Sequence, residues 1–249
     1  MTKGWAPPLT LEERLKLWFL PGALYGAILA GKNRRKGERE IALLPHLVDP
    51  NRPAVDIGAN KGVYSYVLAG LCPEVYAFEP NPKIVRFLRK VAPKNLRVEA
   101  IAIADDSGSA ELRIPRRKSG HSNQRGTLND WEGFEAYDVA TVEKKRLDDC
   151  DIADAGFIKI DVEGYELKVL EGARSLLERC RPTLLVELEE VHLQCSIEEA
   201  IATVEAYGYR GYTYGPEGLR SVTLMDPEAE HRNCTDRQRY KFNFIFFPA

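Results

Sequence analysis

Asp56, Glu79 and Asp161 are three acids that close three short apolar runs, and their spacing suits the gripping of a small ligand. Val55-Asp-Ile-Gly-Ala-Asn-Lys-Gly62 reads as a strand, a glycine turn and the start of a helix, and Phe78-Glu-Pro-Asn-Pro82 as the tip of a second strand. Glu79 lies 23 positions beyond Asp56, near the roughly 20-residue offset at which an acid on the second strand of a βαβ unit takes both ribose hydroxyls. Gly58 and Gly62 lack a Cβ, so the turn between them can tighten and bring its backbone close to a ligand. Asp161 ends the run Ile158-Lys-Ile-Asp161, expected beside the first strand at the point where the strand order reverses. The plainer alternative is an ordinary strand–turn–helix with incidental acids, against which the glycine pair, the acids and their spacing coincide.

The ligand follows from what the turn lacks. A dinucleotide fingerprint needs Gly-x-Gly-x-x-Gly so that a helix N-terminus can receive a pyrophosphate, but here Asn60 occupies the second glycine's place. Asp56 would also repel a diphosphate. S-adenosylmethionine (SAM) has no phosphate and carries an ammonium and a sulfonium, which acids favour by about 1.5–3 kcal/mol for each charged hydrogen bond. The expected cofactor contacts are therefore Asp56, Gly58, Asn60, Gly62, Glu79, Asn81 and Asp161. Methyl transfer to a hydroxyl needs the acceptor oxygen in line and its proton removed. Candidate bases are Asp161, Glu163, Glu187 and His192, the last two at or just beyond the fifth strand. Imidazole suits base work, although a lone histidine after a strand is more often a hydrogen-bonded structural residue. Asp161, Glu187, Glu189 and Glu190 could supply oxygen ligands to a divalent ion, but their spacing is not diagnostic, and no metal is expected.

These residues need a scaffold. With 249 residues, 44% of them hydrophobic, the chain can bury one large α/β core, and a second full domain is not expected. Its 35 basic and 37 acidic residues nearly cancel, so no global field points to nucleic acid. Five scattered cysteines without a C-x-x-C pair suit free thiols in a reducing cytoplasm. The apolar run from Leu17 to Ala30 is too short to span a bilayer and contains Pro21, Gly22 and Gly26. It reads as part of a helical preface over residues 1–50, opened by a capping box of Thr10 and Glu13. The basic run Lys32–Lys36 is a solvated face or a peripheral contact with an anionic membrane.

From residue 51 the order is regular: strand Ala54–Ile57, helix Gly62–Leu71, strand Val75–Phe78, a helix from Pro82 to Val91, and a third strand Leu96–Ala104. A short strand Ala110–Ile114 then leads into the polar stretch Pro115–Tyr137, too long for an ordinary loop and read as a lid over the acceptor. Strand Gly156–Ile160, one helix bearing Leu167, Leu170, Ala173 and Leu177, strand Thr183–Leu188, a helix opened by Ser196 with Glu199, and strands Tyr209–Tyr214 and Phe242–Phe247 complete the series. Repeated β-α units predict an open, mostly parallel Rossmann-like sheet with helices on both faces and ligands at the strands' carboxyl ends.

Five blocks carry a resemblance: the first two quoted above, Ala102-Ile-Ala-Asp-Asp-Ser-Gly108, Lys159-Ile-Asp-Val-Glu-Gly-Tyr-Glu166 with Leu170-Glu-Gly172, and Val186-Glu-Leu-Glu189. Together they resemble the FkbM family of SAM-dependent methyltransferases from about Glu38 onward, and Asn243-Phe-Ile-Phe-Phe-Pro248 is similar to the family's closing strand. The resemblance implies a seven-stranded methyltransferase sheet over residues 51–249 with its last strand antiparallel. It also implies methyl transfer to an oxygen, often a sugar hydroxyl of a polysaccharide, glycolipid or secondary metabolite, and adenine contacts at Ile101 and Ala102. Family members often carry an asparagine where this chain has Ala100. Two other classes stay open on residues alone: a nicotinamide-dependent oxidoreductase on the same βαβ unit, and a non-catalytic scaffold. The small-molecule or glycan acceptor is not specified, though Arg116, Arg117, Lys118, His121 and Arg125 suit an anionic or polyhydroxyl one.

Overall fold

The computed structural model describes residues 39–117, 120–121, 128, 137–236 and 238–249, with isolated positions 7, 14, 18, 28 and 31. The capping box at Thr10, the basic run Lys32–Lys36, most of Pro115–Tyr137 and the basic side chains expected there lie outside the described residues.

Five runs form parallel strands: four are buried along nearly their whole length, and the third in chain order alternates at the sheet edge, with Leu96 and Val98 buried and Arg97 exposed. They are β1 (Ala54–Ile57), β2 (Val75–Phe78), β3 (Leu96–Glu99), β8 (Phe157–Ile160) and β9 (Thr183–Glu187). Beyond β9 lie β12 (Asn243–Pro248), β10 (Tyr209–Gly215) and β11 (Gly218–Ser221), giving the order β11-β10-β12-β9-β8-β1-β2-β3. As expected, β12 runs antiparallel to its neighbours β9 and β10. The seven-stranded expectation is corrected to eight among the described residues, because the turn after Gly215 folds β11 back onto β10 as an antiparallel edge.

Alternation along the strands divides the core in two. Val55, Ile57, Ile158, Ile160, Leu184, Val186, Phe244 and Phe246 face one side. Ala54, Phe157, Leu185 and Ile245 face the other. Phe244, Ile245 and Phe246 are each fully buried, and every such side chain contributes about 1.5–3 kcal/mol of hydrophobic stabilisation. Helices α1 (Leu44–Leu47), α2 (Val63–Ala69) and α3 (Pro82–Val91) supply residues to the second side. Helices α4 (Glu166–Gly172), α5 (Arg174–Cys180) and α6 (Ile197–Glu205) supply the first. Asn81 caps α3 by accepting from the Lys83 amide at 3.0 Å, with Pro82 in the first turn, and the expected Ser196–Glu199 capping box opens α6.

Two further expectations are corrected. The single helix after β8 is two, broken at Ala173 (φ −110°, ψ 6°). The break follows Gly172, where an added Cβ would lie 1.9 Å from the Ala104 carbonyl oxygen, so the helix ends where it presses against the main chain of another segment. The third strand also divides: β3 stops at Glu99, and β4 (Ile101–Ile103) pairs in parallel with β7 (Tyr137–Lys145) in a second sheet. In that sheet β7 also pairs antiparallel with β5 (Gly108–Arg117), ten residues long instead of the expected short strand, and β6 (Gly120–His121) pairs with the end of β5. The described strand residues of Pro115–Tyr137, namely 115–117, 120–121 and 137, thus belong to a long ribbon whose small core is Ala102, Leu112, Ile114, Ala140 and Val142.

Candidate cofactor and acceptor site

The turn after β1 is built by three left-handed residues, Gly58 (φ 79°), Asn60 (φ 46°) and Gly62 (φ 78°). At Gly58 the reason is contact: an added Cβ would lie 1.7 Å from the Asp161 carbonyl oxygen, so the tips of β1 and β8 meet there. Asn60 places its amide 2.8 Å from Glu79 Oε2, and the Asn81 amide donates to Oε1 at 2.8 Å. Two backbone donors therefore fix the Glu79 carboxylate at the tip of β2. Burial pushes its pKa up to about 7; the amides of Asn81 and Asn60 oppose that rise, and Asp56 and Asp161 add to it.

Asp56 lies beneath this turn, 1% exposed, accepting a hydrogen bond from the Ser65 hydroxyl of α2. Its Oδ1 meets no partner among the described residues. Burial raises its pKa, against the pull of Lys159 and Ser65. Lys159, two residues before Asp161 and so on the same face of the strand, is 2% exposed and donates to Asp161 Oδ2 at 2.8 Å. Its ammonium also sits 4.6 Å from the centre of the Tyr64 ring. Burial disfavours that charge, yet Asp161, Asp56 and Glu187 together more than compensate, so its pKa is raised. Lys159, Tyr64 and Ser65 were not singled out from the sequence; a lysine within an otherwise apolar strand was the available signal.

Glu166 is nearly fully buried, and its Oε1 accepts from the amides of Val162 (3.1 Å) and Gly164 (3.0 Å). It holds the turn beyond β8. Burial lifts its pKa to about 7. That turn carries Glu163, in a left-handed conformation (φ 56°). Glu163 Oε2 lies 3.3 Å from His192 Nδ1, and Glu189 Oε2 lies 3.5 Å from the same nitrogen. Glu189 also accepts from the Tyr240 hydroxyl at 3.3 Å. Glu187, at the end of β9, has its pKa raised well above the usual carboxylate range, by burial first and then by Asp161, with Glu189 and Glu163 adding to the effect and Lys159 opposing it.

The structure thus brings Asp56, Gly58, Asn60, Gly62, Glu79, Asn81, Asp161, Glu163, Glu187 and His192 to one end of the sheet, at its switch point between β1 and β8. Ile101 and Ala102 part company there. Ile101 packs against the main core, whereas Ala102 is buried in the ribbon core. Among the described residues no three His, Cys, Asp or Glu side chains converge to hold a metal ion.

A parallel sheet in this order, with a reversed strand and a glycine turn at its switch point, is the Rossmann-like architecture of the class I methyltransferases. The model of the FkbM methyltransferase domain matches residues 56–210, and the chain belongs to that family. Its cofactor is SAM. Among solved structures it is similar to the methyltransferase FkbM from Methylobacillus flagellatus KT, with a TM-score of 0.52 and 19% identity, covering 80% of this chain and 44% of that one. The chain therefore spans less than half the length of that relative. It is also similar to a Streptococcus mutans protein solved in complex with S-adenosylhomocysteine (SAH), with a TM-score of 0.45 and 12% identity, over 85% of this chain and 96% of that chain. A SAM-dependent O-methyltransferase from Thermotoga maritima has a TM-score of 0.40 and 13% identity, over 85% of this chain and 66% of that one. No curated protein matches the chain. Membership in a methyltransferase family sets aside the nicotinamide reading.

Proposed function

We propose that this chain methylates a hydroxyl oxygen, most naturally that of a sugar or related polyol, with His192 as the base. The carrying observation is the setting of His192 between Glu163 and Glu189. With the ring proton on Nδ1, the nitrogen facing these carboxylates, Nε2 would carry the lone pair that accepts a proton, and the two acids would stabilise the imidazolium that results, as in other carboxylate-oriented bases.

The residues fit the cofactor: a buried carboxylate held by two amides at the tip of β2, and an orphaned Asp56 Oδ1 under the turn. Glu79 would hold the ribose hydroxyls, the turn from Gly58 to Gly62 with Asn60 and Asn81 would frame the nucleoside, Ile101 and the Ala102 backbone would border the adenine, and Asp161 would take the methionine ammonium. When bound, SAM supplies an electron-poor methyl carbon. The protein's part is to orient the hydroxyl, exclude water and take its proton. The stretch Pro115–Tyr137 is assigned as the cover of the acceptor side and residues 1–50 as a helical preface, whose Leu44 and Leu47 pack into the core of the sheet.

The test is turnover with isotopically labelled SAM and a panel of sugars, with the methyl located by mass spectrometry. Methyl on oxygen, with His192→Gln lowering kcat by about 10²-fold or more while SAH still binds, supports the reading. Methyl on nitrogen or carbon, or full turnover by His192→Gln, refutes it. Absence of SAH binding would favour a non-catalytic scaffold.

A further inference from the structure

On the β9 side of this site two polar side chains stand opposite each other across the sheet, and one of them carries an unpartnered buried oxygen. Glu187 ends β9, and Asn243 opens β12 directly opposite it in the antiparallel register. Opposed residues of such a pair share a face of the sheet, with Cβ atoms about 5 Å apart. Asn243 is 4% exposed, and its Oδ1 has no partner among the described residues. A buried amide oxygen without a donor costs about 1–3 kcal/mol, which an N–H or O–H reaching it would recover. The cation acting on Glu187 among the described residues is Lys159, whose ammonium is already 2.8 Å from Asp161. Glu163 and Glu189 add negative charge around the same crevice.

We propose, resting on the transferase reading above, that the acceptor is a hydroxyl compound bearing an ammonium group, an amino sugar or amino alcohol, and that Glu187 and Asn243 bind that ammonium. An ammonium has three donors and one positive charge, so it can satisfy Asn243 Oδ1 and the Glu187 carboxylate together. A neutral hydroxyl supplies one donor and no charge, and a carboxylate or phosphate would meet four acids. Of the acceptors the sequence left open, the anionic one is disfavoured and the polyhydroxyl one is narrowed to its amine-bearing members. The hydroxyl to be methylated then lies on the His192 side, and the amine is a recognition handle that is not itself methylated.

The experiment uses the full chain saturated with SAH, so that cofactor binding is established first and independently. Three methyl glycosides of one ring, glucosaminide, glucoside and glucuronide, are titrated by ligand-detected NMR. The expected result is that the glucosaminide binds about tenfold or more tighter than the glucoside, as one charge-assisted hydrogen bond predicts, and that the glucuronide does not bind. In Glu187→Gln the amine should lose its advantage over the glucoside, and Asn243→Ala should reduce it, in samples that still bind SAH. Equal binding of all three, preference for the glucuronide, no binding of any, or an amine preference that survives Glu187→Gln overturns the proposal. So does a Glu187→Gln protein that loses SAH itself, because the carboxylate would then serve the cofactor. A protein that never binds SAH fails the transferase reading instead.

Discussion

Replacing Lys159 by Met keeps most of the length of the side chain and removes a cation that acts on Asp56, Asp161 and Glu187 together. Lys159 has a side-chain exposure of 3% against 31% for Asp161, so Asp161 can partly rehydrate after the loss, whereas Asp56, 1% exposed, cannot. Breaking a buried pair by removing one partner costs about 3–5 kcal/mol, and the partial exposure of Asp161 places the expectation at the lower end, about 3 kcal/mol. For a domain of this size that lowers Tm by about 6–12 °C. Without the ammonium, the folded-state pKa of Asp56, already raised, rises further above its unfolded value. The penalty is then fully present above that folded pKa and fades as the pH falls through it. Thermal melts of both proteins between about pH 8 and pH 5 check this, with the gap between them narrowing on acidification. A variant as stable as the parent at neutral pH, or a gap that widens in acid, would refute the account of Lys159 as a counter-ion.

Three other outcomes are expected. Glu79→Ala should weaken SAM and SAH by about 1.5–3 kcal/mol in calorimetry; in the parent, affinity should rise with pH up to about 7 and then level off, because binding needs the ionised carboxylate. Gly58→Ala should destabilise the fold by at least about 2 kcal/mol in urea denaturation, combining left-handed strain with a Cβ driven into the Asp161 carbonyl. Amide exchange across Pro115–Tyr137 should slow when SAH and acceptor are bound together; protection confined to the neighbourhoods of Gly58 and Glu79 would count against the ribbon as a cover.

The strand tips that carry Asp56, Glu79 and Asp161 could be read from the chain because β1, β2 and β8 are four-residue runs that are apolar apart from Asp56 and Lys159, and burial on both faces leaves such runs little choice. The ribbon could not. In β7 the inward residues are only Ala140 and Val142, and the outward face carries Tyr137 and Val139, 42% and 41% exposed, so polar and apolar positions do not alternate. Its partner β5 also lies about 30 residues earlier. The break at Ala173 was hidden because Leu170, Ala173 and Leu177 keep helical spacing across it. Asn243 was legible only as a member of the closing strand; its place opposite Glu187, 56 positions away in sequence, is set by the pairing register.

The pairing of β1 with β8 has a bearing on folding as well. It joins Ala54 to Phe157, 103 positions apart, and the ribbon lies within that loop. Because Gly108 pairs with Lys144, those 37 residues close on themselves and can do so before the central strands meet. The remaining loop is about 66 residues instead of about 103, a difference of about 0.4 kcal/mol in closure entropy. So small a figure means that a long arm at this point burdens neither the assembly of the sheet nor its stability. Insertions here can lengthen, shorten or diverge at little thermodynamic cost, while the strand tips that grip the nucleoside stay where the sheet puts them.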